Sequence, residues 1–119
     1  MVLLDTSVWI DHLRRGNSRA AALLGAGEVA CHPLVIGELA CGGLKQRQEI
    51  LGLLSALPRA AQASHDEILA FIENRHLHGR GIGLIDAHLL WAAIDSSHTL
   101  WTLDLKLRSM SDRLGVVCL

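Results

Sequence analysis

The chain opens with Met1-Val2-Leu3-Leu4-Asp5, a continuous apolar run that stops on an acid. A second long apolar run, Thr99-Leu100-Trp101-Thr102-Leu103-Asp104, also stops on an acid near the other end. A strand with one wet face alternates apolar and polar residues, whereas a run that is apolar throughout reads as a strand covered on both faces. That need is met by a parallel sheet whose crossover connections are helices.

The rest of the chain supplies those helices. Thr6 or Ser7 can cap a helix running to about Arg15, broken by Gly16-Asn17. Ser18 caps a second, Arg19 to Leu24, which Gly25 and Gly27 stop. Glu28–Cys31 is a short strand. Pro33 suits the first turn of a helix through Glu38 to Cys41, ended by Gly42-Gly43. A further helix covers about Gln46 to Leu57 and stops before Pro58. Ala60–Ala63 reads as a short strand. Ser64 caps a helix carrying Ile68, Leu69, Ile72 and Leu77 to near Gly79. After the flexible turn Gly79-Arg80-Gly81-Ile82-Gly83, a helix runs from Leu84 or Ile85 to about Asp95. Thr99–Leu103 is a strand, Lys106–Met110 a short helix and Val116–Leu119 a last strand. This order predicts a three-layer α/β/α sandwich with a mainly parallel sheet of four to five short strands. The 119 residues fit one domain.

Four acids occupy placed positions in this scheme: Asp5, Glu38, Asp86 and Asp104. Asp5 and Asp104 end strands, on the side where open α/β sheets bind ligands. Glu38 and Asp86 lie within or at the start of apolar helices, where a charge is costly unless something neutralises it. Apart from Lys106 near Asp104, no Lys or Arg lies beside any of the four in a way that suggests a paired ion bridge. Carboxylates that converge without cationic partners suit a hard divalent ion such as Mg²⁺ or Mn²⁺. Each acid also has a plain structural role open to it. Asp5 and Asp104 could cap helices, Asp86 could sit in a first turn for the macrodipole, and Glu38 could be an exposed helix residue.

The segments VLLDTSVWIDHL, PLVIGELACG, GIGLIDAHLLWAA and LWTLD together resemble the PIN domain, and more narrowly the VapC-type toxin ribonucleases of toxin–antitoxin pairs. The resemblance spans the whole chain, with one acid in each piece and Thr102 matching a hydroxyl residue two before the last acid. It implies a Mg²⁺- or Mn²⁺-dependent endoribonuclease with one or two ions in a four-carboxylate site. Asp5 and Asp86 are then the direct ligands. Glu38 binds a second ion or orients the attacking water, and Asp104 completes the cluster. Thr6, Ser7 and Thr102 are candidates to fix the carboxylates by hydrogen bonds. It further implies an RNA substrate, a VapB-like antitoxin, a homodimer, and a heterotetramer or larger assembly with the antitoxin. The antitoxin's tail would fill an apolar groove and reach the carboxylates with a basic side chain.

Other residues carry weaker signals. Asp11 lies about two turns after Asp5 and is expected to face solvent. His12 and His88 read as surface or packing residues, not catalytic bases. The net charge is -1, so RNA contact would need a local basic patch and not bulk attraction. Arg14, Arg15 and Arg19 form one basic group, Lys45 and Arg47 a second, and Arg75 to Arg80 a third; the default reading of each is a solvated face. An RNA must nevertheless be steered past the acids, and phosphate contacts from one or two of these groups would do that, with Arg14, Arg15, Arg19 and Arg80 as the RNA-binding candidates. Val8, Trp9, Leu13, Leu23, Leu24, Leu51, Leu53 and Leu54 exceed what one face of each helix needs, so some are candidates for a groove or dimer face. Cys31, Cys41 and Cys118 show no metal-binding or paired spacing and are expected as free thiols, natural in a reducing cytoplasm. No run is long enough for a membrane helix.

Three rivals bear on function. A response-regulator receiver domain shares the length and layering but wants paired acids after the first strand and a central aspartate. Leu4 precedes a single Asp5, and Ile50–Leu57 holds no Asp. A catalytically silent PIN-like module would lack one or more of the acids. A PIN nuclease of RNA maturation would keep them, though such nucleases are usually longer.

Overall fold

The computed structural model describes residues 1–119. The elements run β1 (Val2–Leu4), α1 (Thr6–Arg15), α2 (Ser18–Gly25), β2 (Val29–Ala30), α3 (Pro33–Cys41), α4 (Arg47–Ser55), α5 (His65–Asn74), α6 (Leu84–Ser96), β3 (Thr99–Trp101) and α7 (Leu105–Leu114). The sheet order is β2-β1-β3, parallel throughout, with β1 in the centre. All three residues of β1 are buried. Successive side chains of a strand point to opposite faces, so helices cover both sides of the sheet.

The expected four to five strands reduce to three. The two outer segments each contribute one parallel bridge, Cys31 with Arg59 and Leu100 with Cys118. On the first edge, Cys31 donates to the Pro58 carbonyl and accepts from Ala60. It can offer no more, because His32 and Pro33 already turn the chain into α3. Ala60–Ala63 is therefore not a strand, and neither is Val116–Leu119.

Helix limits follow local chemistry. Asn17 caps α2 through Ala20 N–H, and Ser64 with Glu67 forms a reciprocal capping box on α5. The expectation that α5 reaches Gly79 fails for a local reason. His76 adopts a left-handed conformation (φ 54°), and Leu77 N–H bonds back to the Ile72 carbonyl. This is a Schellman ending, in which Leu77 turns in to join the core instead of continuing the helical stripe. Conversely, α7 runs past Met110 to Leu114, where Gly115 (φ 74°) supplies the same kind of stop.

Leu3, Leu4, Val8, Trp9, Leu89, Leu90, Leu100 and Leu107 form the centre of the core. Burying each such side chain contributes about 1.5–3 kcal/mol before the cost of ordering it. Val8, Trp9 and Leu54 are thus core residues and not groove candidates, while Leu53 is exposed. No helix is long and apolar enough to cross a membrane. The three cysteines are unpaired, and burial pushes the Cys31 thiol up to about 11.

Candidate active site

The register of β1 against β3 builds the site. Leu4 pairs with Trp101, and Asp5 N–H donates to the Trp101 carbonyl at 2.9 Å. The next residue on each strand is therefore Asp5 on one side and Thr102 on the other. The Thr102 hydroxyl donates to Asp5 Oδ2 at 2.6 Å, and the Ser7 hydroxyl donates to the same oxygen at 2.9 Å. Asp5 Oδ1 accepts from Thr6 N–H at 2.7 Å. Thus Asp5 caps α1 and is also pinned from three directions, with 7% of its surface exposed.

The other acids join this frame. The Thr6 hydroxyl donates to Glu38 Oε1 at 2.6 Å, tying α3 to the start of α1. Thr102 Oγ1 accepts from Asp104 N–H at 3.0 Å, and Asp104 Oδ1 caps α7 through Lys106 and Leu107 N–H groups. Ser7 Oγ accepts from Leu103 N–H at 3.0 Å. Asp86 Oδ2 accepts from Gly83 N–H at 3.1 Å in the first turn of α6. The three expected hydroxyl residues, Thr6, Ser7 and Thr102, all bond within this network.

Asp86 reports the electrostatics. Burial pushes its carboxyl above the ordinary aspartate range. The Gly83 N–H pulls it back, while the neighbouring charges of Asp5, Asp104 and Glu38 push it further up. The four acids therefore share one field, although they come from four parts of the chain. Asp5, Asp86 and Asp104 stand at the N-terminal ends of α1, α6 and α7, whose positive poles offset part of the mutual repulsion. The capping and site readings of these residues are thus compatible. None of the four forms an ion pair with a side-chain cation, since the only ion pair in the structure is Asp11 with Arg15.

An all-oxygen, net-negative donor set with repulsion to relieve fits a hard divalent cation. As they stand, no three of the acids are placed to ligate one ion together. An ion of the Mg²⁺ type keeps several waters and needs only one or two direct carboxylates, so the wider spacing suits it.

The remaining candidates fall into different surroundings. Arg15 pairs with Asp11, which is mostly shielded and also takes Asn17 Nδ2; the expectation that Asp11 simply faces solvent is corrected. The Arg19 guanidinium lies over the Trp101 ring at 5.7 Å. Arg14 lines a groove of about 300 Å³ between α1, α3 and α4, with Ile10, Leu13, Leu39, Leu44 and Ile50 as its apolar wall and Glu38 at its edge. Arg80 lines a separate groove beside α7. His12 Nδ1 accepts from Asn17 N–H, a structural contact. His88 is buried against His32, their ring centroids 5.8 Å apart. Sequence reading passed over the alignment of Lys106 with Arg113, although a spacing of seven on one helix was a legible signal for a shared face.

Comparison with known proteins agrees with this architecture. The PIN domain family model matches residues 2–112. The chain is 47% identical over 117 residues to Ribonuclease VapC32 of Mycobacterium tuberculosis, covering 98% of this chain and 94% of that protein. Among solved structures, PAE2754 from Pyrobaculum aerophilum superposes with a TM-score of 0.63 at 18% identity, covering 96% of this chain and 94% of that one. FitAB bound to the IR36 DNA fragment gives 0.64 at 23% identity, covering 100% and 94%. Sheet order, placement of the acids and family match converge, and the chain belongs to the PIN-domain family.

Proposed function

We propose that this chain is a metal-dependent endoribonuclease acting as the toxin of a toxin–antitoxin pair, with residues 1–119 working as one PIN domain. The observation that carries the reading is the convergence of Asp5, Glu38 and Asp104 on the Thr6 and Thr102 hydroxyls, with Asp86 in the field of all three and none of the four acids ion-paired. Its similarity to a protein named as a VapC ribonuclease supports the substrate class.

Mg²⁺ or Mn²⁺, one or two ions, is the cofactor this donor set fits, with Asp5 and Asp86 as direct ligands and Asp104 completing the cluster. When bound, such an ion lowers the pKa of a water and stabilises charge on the phosphate. The protein's own part is positional. Ser7, Thr102 and Thr6 N–H hold Asp5 in one orientation. Thr6 fixes Glu38 through Oε1, and Oε2 is left to orient the water that attacks the phosphodiester. Thr102 also ties Asp5 to the Asp104 backbone, so one hydroxyl fixes the spacing of the two strand-end acids.

The apolar groove beside Glu38 is suited to a partner segment with an apolar face and a basic residue. A VapB-like antitoxin is the partner we assign to it, on a homodimer that forms a heterotetramer or larger assembly with it.

The test is cleavage of total cellular RNA by the purified, partner-free protein in Mg²⁺, in Mn²⁺ and in EDTA, beside Asp5→Ala. Discrete fragments that need metal and vanish in the variant support the reading. No cleavage by folded protein shown to bind the ion would replace it with a silent binding module.

A further inference from the structure

The loop after α5 and the outer face of α7 border an open groove of about 440 Å³ whose charged lining is Arg80, Lys106 and Arg113. All three are cations, and none is paired with an acid. Arg80 Nε donates to the His76 carbonyl at 2.8 Å, and Arg113 Nη1 donates to the same oxygen at 3.3 Å. Two guanidinium groups are thus drawn to one backbone oxygen, with most of their N–H donors unused. Like charges held together in this way repel, and an anion between them would relieve that repulsion.

Lys106 extends the row toward the acids. Its Nζ lies 3.2 Å from the position a Cβ would take at Gly81, so the glycine leaves room for the lysine against the loop backbone. Gly81 has φ +80°, a conformation that favours glycine independently. The Lys106 backbone N–H donates to Asp104 Oδ1 at 2.8 Å, so the residue that carries this cation begins at the edge of the carboxylate cluster. Lys106 and Arg113 lie seven residues apart on α7, roughly 10 Å along the helix. That distance accommodates more than one phosphate. The planar forks of the two arginines suit phosphate oxygens, and the lysine adds a point charge.

We propose that this groove binds backbone phosphates of the RNA strand to one side of the cleaved bond, with Arg80, Lys106 and Arg113 as positioning residues. The proposal rests on the ribonuclease reading and names where the substrate lies. A strand reaching four carboxylates needs compensating charge close by, and the lining of this groove includes Leu105 and Lys106, the two residues that follow Asp104. An acidic segment of a protein partner would find the same charges but has no reason to abut the acids.

The experiment measures binding of a fluorescein-labelled single-stranded RNA to the full chain in EDTA, by anisotropy across a KCl series. Wild type is compared with Lys106→Gln, Lys106→Arg, and the triple Arg80→Gln/Lys106→Gln/Arg113→Gln, each checked by thermal melting. The slope of log K against log[KCl] should flatten by about 0.7 for Lys106→Gln and by about 2 for the triple variant. Lys106→Arg should keep the wild-type slope. Lys106 makes no side-chain hydrogen bond in the fold, so its variants separate charge from folding even if the triple variant unfolds. An unchanged slope in Lys106→Gln and in the folded triple variant overturns the proposal, as does absence of RNA binding by wild type. Competition by poly-glutamate that depends on these residues while RNA binding does not would assign the groove to a protein partner and overturn it too. Metal-dependent cleavage lost in Asp5→Ala, alongside an unchanged slope, leaves the ribonuclease reading standing and removes only this groove.

Discussion

Thr102 donates its hydroxyl proton to Asp5 at 2.6 Å across 97 positions of sequence, and accepts the amide of Asp104 with the same oxygen. One hydroxyl thereby fixes one acid by its side chain and another by its backbone. Thr102→Val keeps the shape but leaves Asp5 short of a donor and Asp104 N–H short of an acceptor. Stability should fall by about 1.5–3 kcal/mol, the worth of a hydrogen bond to a charged group. Cleavage should drop about 10–100-fold, as for lost partners of metal-bound side chains. Thr102→Ser should recover most of both. Urea melts and RNA cleavage rates check this; wild-type cleavage in the valine variant would remove Thr102 from the site.

Asp86 should oppose stability where it serves function. Its folded carboxyl is held above the ordinary range by burial first and by its acidic neighbours as well. The folded state therefore binds the proton more tightly than the unfolded state. Stability from this group is present at low pH and is lost as pH rises from the ordinary aspartate range through the raised folded value. Asp86→Asn keeps an acceptor for Gly83 N–H and removes the charge. In EDTA near neutral pH it should gain about 0.5–2 kcal/mol, as single charge repairs do, while cleavage disappears. Added Mg²⁺ should raise the melting temperature of wild type and leave the asparagine variant unmoved. A metal-free variant that melts below wild type at neutral pH would contradict the repulsion argument, and retained cleavage would remove Asp86 as a ligand.

His32 should make the fold acid-sensitive. It is wholly buried, and its Nδ1 accepts Leu34 N–H as the cap of α3. Burial first, and the nearby His88 second, lower it to about 4 from 6.5. Between these values the unfolded chain takes up a proton that the folded chain refuses. The neutral imidazole's contribution is therefore complete above about pH 6.5 and is lost as pH falls toward 4, by up to about 3 kcal/mol. His32→Asn keeps a capping oxygen and cannot titrate. Chemical denaturation across this window should show a shallower loss in the variant; parallel curves would show that His32 does not set the response.

The apolar groove predicts a partner phenotype separate from catalysis. Leu13 is half-buried on its wall. Leu13→Glu should keep the fold and RNA cleavage but weaken binding of the protein encoded by an adjacent small reading frame by about 30-fold or more, the scale of a hot-spot loss. Titration calorimetry against that partner measures it. Unaltered affinity would place the partner elsewhere.

The sequence by itself determined the order of the seven helices and of the three strands that form, the parallel character of the sheet and the four acids. Continuous apolar runs, glycine and proline punctuation and capping residues are local signals, and they act within a few residues. The family resemblance added which acids belong together. Tertiary structure decided what depends on register and on ends. Only the pairing of Leu4 with Trp101 brings Asp5 beside Thr102. The outer strand beside Cys31 shrank to a single bridge because Pro33 starts a helix where the ladder would have continued. Leu77 left the helical stripe because His76 took a left-handed turn, which a histidine does not announce in sequence. Cationic residues were legible only as clusters. Which of them pairs with Asp11, stacks on Trp101 or lines a groove is fixed by packing between helices distant in the chain, because a side chain's partner is set by space and not by sequence separation.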